Sequence, residues 1–231
     1  MSSRAGMLTA WRALAAAVTE LRYVGLYLIG FNLLWFFSSL LVFTLFPATG
    51  ALYAVTRQLL NRQEVGWRHF FRELRAHLVT GWAWGLLNLF VSVLFAVNFW
   101  FYGSLPSSTA LVPTALLFGL AVPWIIVQMY CYPILLAQID TRLGLAVLNS
   151  LKLCLKYPLY TLTYALVAGT FIFISVVVPY FWMIFTPALL TFLYNQAVRV
   201  LLELEAGKDP FRQAGRPATP TEDGRPDAGR R

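Results

Sequence analysis

Long uncharged runs alternate along this chain with short segments that carry all of its charge. Residues 23–56, 78–139 and 157–198 contain no Asp, Glu, Lys or Arg. Each run exceeds the roughly 20 apolar residues that a helix needs to cross a bilayer, and the second could cross twice. The pattern predicts an all-α, polytopic transmembrane helical bundle with six passes at about 23–46, 48–62, 78–102, 113–139, 158–178 and 180–198. Residues 1–22 repeat Met7, Trp11, Leu14, Val18 and Leu21 at helical spacing, which predicts a helix lying along the membrane surface. Arg12 and Glu20 interrupt that segment, so it does not read as a signal peptide. The membrane domain then covers 23–206, and the Gly-, Pro- and charge-rich stretch 207–231 is expected to be a disordered cytoplasmic tail.

The second pass is the difficult one. In LFPATGALYAVTR (45–57), Pro47 marks the outer turn, with Thr49, Gly50 and Tyr53 following it. At about 1.5 Å rise per residue, Arg57 then sits only ~15 Å below the turn. A guanidinium at that depth costs roughly 2.5–3.5 kcal/mol on insertion scales. Either 48–62 is a short pass covered by protein, or it is re-entrant. A five-pass chain avoids the cost but places Arg4, Arg12 and Arg22 outside, so six passes are preferred. FPATGALYAVTRQLL (46–60) is echoed by FTPALLTFLYNQAVRVLL (185–202), through a duplicated hairpin or through coincidence in apolar sequence.

Charge assigns the sides. The segments 1–22, 57–77, 140–156 and 199–231 carry net +2, +3, +2 and +1, while the other connections are uncharged. Positive-inside logic puts these segments and both termini in the cytoplasm. Tyr102, Tyr180 and Trp182 then lie at the outer boundary. Hydrophobic residues form 59% of the 231 and charged ones 12%, against about 25% charged in soluble domains. The net charge of +8 therefore points to lipid and not to nucleic acid.

Residues 63–77 form the clearest amphipathic element. Arg68, Arg72 and Arg75 fall within about 60° on a helical wheel, beside an arc of Trp67, Phe70, Phe71, Leu74 and Leu78. This predicts an interfacial helix that offers arginines to anionic lipid headgroups, with docking of a soluble partner as the alternative. His69 and His77 lie about 80° apart with no third ligand, so no metal is expected. Cys131 and Cys154 form no CxxC and are expected to pack.

Polar residues inside the spans are candidates for helix bridging or for lining a cavity: Asn32, Asn88, Asn98, Gln128, Asn195 and Gln196. Pro123 and Pro133 are expected to kink the fourth pass. Asp140, the sole acid between Glu73 and Glu203, is the candidate ion-pair partner for Arg57. Asn149 lies in the following basic segment, and Arg199 follows the last pass. No HExxH, GxSxG or Walker sequence occurs, no span holds paired carboxylates, and no cofactor is expected.

FPATGALYAVTRQLLNRQEVGWRHFFRELRAHL, the LLNLFVSVLFAVNFW span, and YCYPILLAQ before a basic loop ending in KYP together resemble the YesL-like family of bacterial membrane proteins, over roughly residues 20–203. The resemblance implies a compact helical protein of the bacterial cytoplasmic membrane, in a family of unassigned function. It also implies proximity to sugar-uptake and glycan-degradation systems, and the tail departs from its pattern. Two functional expectations follow. One is a non-catalytic accessory or assembly component with a membrane transporter as partner. The other is a small permease, its path formed by Arg57, the 47–50 turn and the kinked fourth pass. An enzyme on lipid-linked substrates is the weakest expectation.

Overall fold

The first helix, α1, runs without a break from Ser2 to Ser39 in the computed structural model, which describes residues 2–211. No boundary appears at residue 22, because the N-terminal half is held in the bundle by its small residues. Ala10, Ala13 and Ala17 are buried on one face, and Gln196 Nε2 donates to Ala13 O at 2.9 Å. Met7, Trp11 and Val18, expected to share one apolar stripe with Leu14, face outward, while Leu14 packs inward. The predicted tail lies outside the described residues beyond 211.

The chain reverses earlier than its sequence suggests. A 3₁₀ turn at Val42–Thr44 follows α1, and α2 begins at Leu45 and ends at Leu60. Pro47 is therefore not the turn; it occupies the first turn of α2, where a missing N–H costs no helical bond. The helices that follow are α3 (Trp67–Ala76), α4 (Leu78–Gly103), α5 (Ser107–Ala137), α6 (Leu143–Lys156), α7 (Pro158–Val177), α8 (Pro179–Ile184) and α9 (Thr186–Glu205). α5 stays helical through Pro113, Pro123 and Pro133.

Four helices are long and apolar enough to cross a membrane, over Gly6–Ser39, Leu78–Gly103, Thr109–Ala137 and Pro158–Val177. The predicted second and sixth passes, α2 and α9, do not meet that description. They form the centre instead: α2 is buried along most of its length, and α9 is buried throughout Thr186–Val198. With 16 residues, α2 is about 24 Å long, short of a ~30 Å hydrocarbon core.

Cross-helix bonds define the directions. Trp35 Nε1 donates to Thr49 Oγ1 at 3.0 Å and Arg62 pairs with Glu20 at 3.2 Å, so α2 runs antiparallel to α1. Asn195 bonds Tyr53 and Thr56, and Arg199 bonds Leu60, so α9 lies beside α2 and parallel to it. The two echoing sequences are thus the two central neighbours.

Glycines set the approach of α4 and α5 to α2. A Cβ on Gly81 would lie 2.9 Å from Pro47 Cα, and one on Gly50 would overlap the Tyr132 hydroxyl. Beyond this contact α4 and α5 leave the bundle: no described residue from 86 to 126 is buried. Gly81→Ala should lower thermal stability in detergent by about 1–3 kcal/mol, as overpacking does. Gly119→Ala, with nothing within 4 Å, should be neutral or stabilising by up to ~1 kcal/mol. Equal melting temperatures for the two variants would contradict the close packing.

Candidate functional site

A polar seam joins α2, α5 and α9 where they approach the charged end of the molecule. Asn195 is 5% exposed, and its Nδ2 donates to Tyr53 O at 2.8 Å and Thr56 Oγ1 at 2.9 Å. Thr56 Oγ1 in turn donates to Leu52 O at 2.8 Å. The seam is flanked by rings: Tyr53 stacks on Tyr132 with centroids 5.0 Å apart, and Tyr132 meets the edges of Trp84 and His77.

Below this seam two arginines close helix ends. The last four carbonyls of a helix lack intrahelical partners and carry its negative dipole end. Arg57 Nη1 donates to Leu136 O, one residue before the end of α5. Arg199 Nη1 donates to Leu60 O, the end of α2, at 3.0 Å. Each member of the echoing pair thus brings its arginine to the terminus of another helix.

The predicted Arg57–Asp140 ion pair does not form. After Ala137 the chain turns extended at Gln138, whose ψ is 147°, and carries Asp140 out to an exposed position. A guanidinium at this depth meets the unsatisfied carbonyl that the helix leaves behind, not the carboxylate beyond it. Among the described residues neither Arg57 nor Arg199 has a carboxylate within 4.0 Å.

Both arginines line a half-open cavity of about 240 Å³, together with Asn61, Pro133, Asn195, Glu203 and Lys208. Lys208 is placed there by backbone geometry. Gly207 adopts φ +67°, its N–H bonds Leu204 O at 3.1 Å, and Lys208 N–H bonds Glu203 O at 2.9 Å. That is a Schellman ending for α9, which favours glycine at the left-handed position.

The remaining candidates lie elsewhere. Asn88 Nδ2 and Trp84 Nε1 both donate to Gln128 Oε1, at 3.2 and 3.0 Å, bridging α4 and α5 away from the cavity. Asn98 bonds only its own helix, through Leu94 O at 2.7 Å. Thr49 accepts the Trp35 indole, and Pro47 and Gly50 are packing positions. Asn149 lines a separate shallow depression with Lys152 and Lys156. On α3, Arg68, Arg72 and Arg75 are exposed, while Phe70 is buried and stacks on Phe31. His69 Nδ1 accepts the Gly66 N–H at 3.1 Å, and His77 lies against Thr80 and Glu73.

Sequence reading missed Tyr132 and Lys208 as members of this region. The YCYP spacing next to a proline was the available signal for the first. Nothing local marks Lys208, which depends on the turn at Gly207. Asn32, a candidate for helix bridging or for lining a cavity, proves to bridge. That fully buried amide donates to Trp182 O and Met183 O at 3.2 and 2.6 Å and accepts the Ala188 N–H at 2.8 Å, sealing the junction of α8 and α9.

Residues 28–99 match the family described as "Protein of unknown function, DUF624". The matched stretch covers α2, α3 and most of α1's second half and α4, but not α9. No curated protein and no solved structure matches the chain.

Two outcomes follow from this geometry. Asn195→Ala leaves Tyr53 O and Thr56 short of a donor and should cost about 1–3 kcal/mol, whereas Asp140→Asn should leave the melting temperature unchanged; a loss in the aspartate variant alone would restore the ion pair. Burial holds the His77 pKa below its usual value, against the opposing pull of Glu73. Its folded value lies below its unfolded one, so the contribution is complete above the unfolded value and fades as pH falls through the folded one. Stability should therefore decline as pH falls below about 6.5, and His77→Gln should flatten that decline.

Proposed function

We propose that this chain is a non-catalytic integral membrane component, an accessory or assembly partner of a solute-transport system. Its charged end faces the cytoplasm and its context is the carbohydrate-linked one that the YesL-like resemblance implies. The α4–α5 hairpin carries this reading. Apolar side chains such as Phe90, Val97, Leu116 and Phe118 stand exposed along a stretch with no buried residue among those described, from 86 to 126. Such a hairpin has apolar surface for lipid and for another protein's helices, and its own bundle uses neither face.

The permease alternative is less favoured by the packing. The route from Pro47 to Arg57 is occupied: Ala48 and Gly50–Thr56 are buried, and Tyr132 covers Gly50. The cavity at Arg57 opens at the charged end and is not continued along α2 by any described lining residue. In this reading the arginine face of α3 meets anionic headgroups, placing that end of the bundle at the membrane surface.

The test is purification of the tagged full chain from its native membrane in mild detergent. A stoichiometric transporter subunit should accompany it and be lost when Leu116 and Val97 are both replaced by Ser, with the melting temperature of the isolated chain unchanged. Movement of sugars or anions by the purified chain alone in liposomes would overturn the proposal.

A further inference from the structure

We propose that the cavity between Arg57 and Arg199 is a binding site for a phosphate group, carried by a lipid headgroup or by a soluble phosphorylated compound. The cavity holds three cations, Arg57, Arg199 and Lys208, against one acid, Glu203. Neither guanidinium is neutralised by a carboxylate among the described residues. Each spends one Nη1 donor on a helix-end carbonyl, Leu136 O for Arg57 and Leu60 O for Arg199. A guanidinium has five N–H donors in a rigid fork. The bond through Nη1 orients that fork and leaves its other N–H donors for an acceptor, and Arg199 Nε is buried without a partner among the described residues.

The acceptor's class follows from charge and shape. Forked guanidiniums match the paired oxygens of phosphate, and a phosphomonoester near neutral pH carries about −1.5 to −2. Two arginines and a lysine supply the complementary charge. The volume of about 240 Å³ equals roughly eight waters at ~30 Å³ each, room for the phosphate and part of what bears it. Lys208, set at the mouth by the Gly207 turn, contributes a mobile point charge. The site also offers a physical reason for the shared arginine of the two echoing helices: each guanidinium is preorganised by the end of a neighbouring helix. This inference does not rest on the transporter-partner reading; it holds for the isolated chain.

The experiment uses the full chain at constant ionic strength. One arm titrates inorganic phosphate and glucose 6-phosphate against protein in a neutral maltoside and reads the melting temperature. The second compares nanodiscs of phosphatidylcholine with and without phosphatidic acid. A concentration-dependent rise with the soluble probes identifies a solute site; a rise confined to phosphatidic acid identifies a headgroup site. Arg57→Lys and Arg199→Lys keep the charge and a donor for the helix-end carbonyl but lose the fork, and each should weaken binding about tenfold or more. Lys208→Ala, which disturbs no helix end, should also weaken it. Substituting Arg68, Arg72 and Arg75 together by Gln should leave the soluble-probe response and the difference made by the lysine variants intact. No response to either probe at about 10 mM, or a response lost in the α3 variant and unchanged in the cavity variants, would overturn the proposal.

Discussion

Helices that stop inside a protein leave backbone groups which must be satisfied there, and water is scarce near a bilayer. This constraint organises the molecule. Among the described residues, stops at the end of α2, at the end of α5 and at the junction of α8 and α9 each have a dedicated side chain. Arg199 reaches Leu60 O, Arg57 reaches Leu136 O, and Asn32 serves carbonyls on one side and an N–H on the other. A carbonyl at a helix C-terminus carries partial negative charge, so it can hold a guanidinium without a carboxylate.

The rest of the bundle follows from bringing those ends together. Close approach needs small residues, and they occur where the central helices are touched: Ala10, Ala13 and Ala17 on α1, Gly50 on α2, Gly81 and Gly85 on α4. Where apolar burial contributes little, as in lipid, such contacts and interhelical hydrogen bonds supply the association. The outer helices meet the centre along part of their length only, and the α4–α5 hairpin leaves it over residues 86–126.

Much of the architecture was legible in the sequence, because hydropathy and period are local properties. The uncharged windows hold all or part of the four helices that are long and apolar enough to span, but also most of α2 and α9, which are not, and the arginine face of 63–77 is the exposed face of α3. The bridging roles of Gln128, Asn88 and Asn195 follow the expectation for amides among apolar helices. The reversal was misplaced at Pro47 because a proline suits a first helical turn as well as a loop. The separation of residues 1–22 failed because alanines, which add little to an apolar stripe, chose the packing face. Asp140 was selected for its scarcity, which carries no information about where the chain turns after Ala137.

Sequence alone determined that this is a helical chain with long apolar runs, and that its charge collects in the segments between and beyond them. Each of those properties resides in a few consecutive turns of helix. Tertiary structure decided that α2 and α9 are inner helices lying parallel, and that their arginines share one cavity. The partner of a guanidinium is set by where another helix happens to end, and that end lies about 80 residues away for Arg57 and about 140 for Arg199. No local pattern encodes such a distance; only the packing of the glycine and alanine faces brings it to contact.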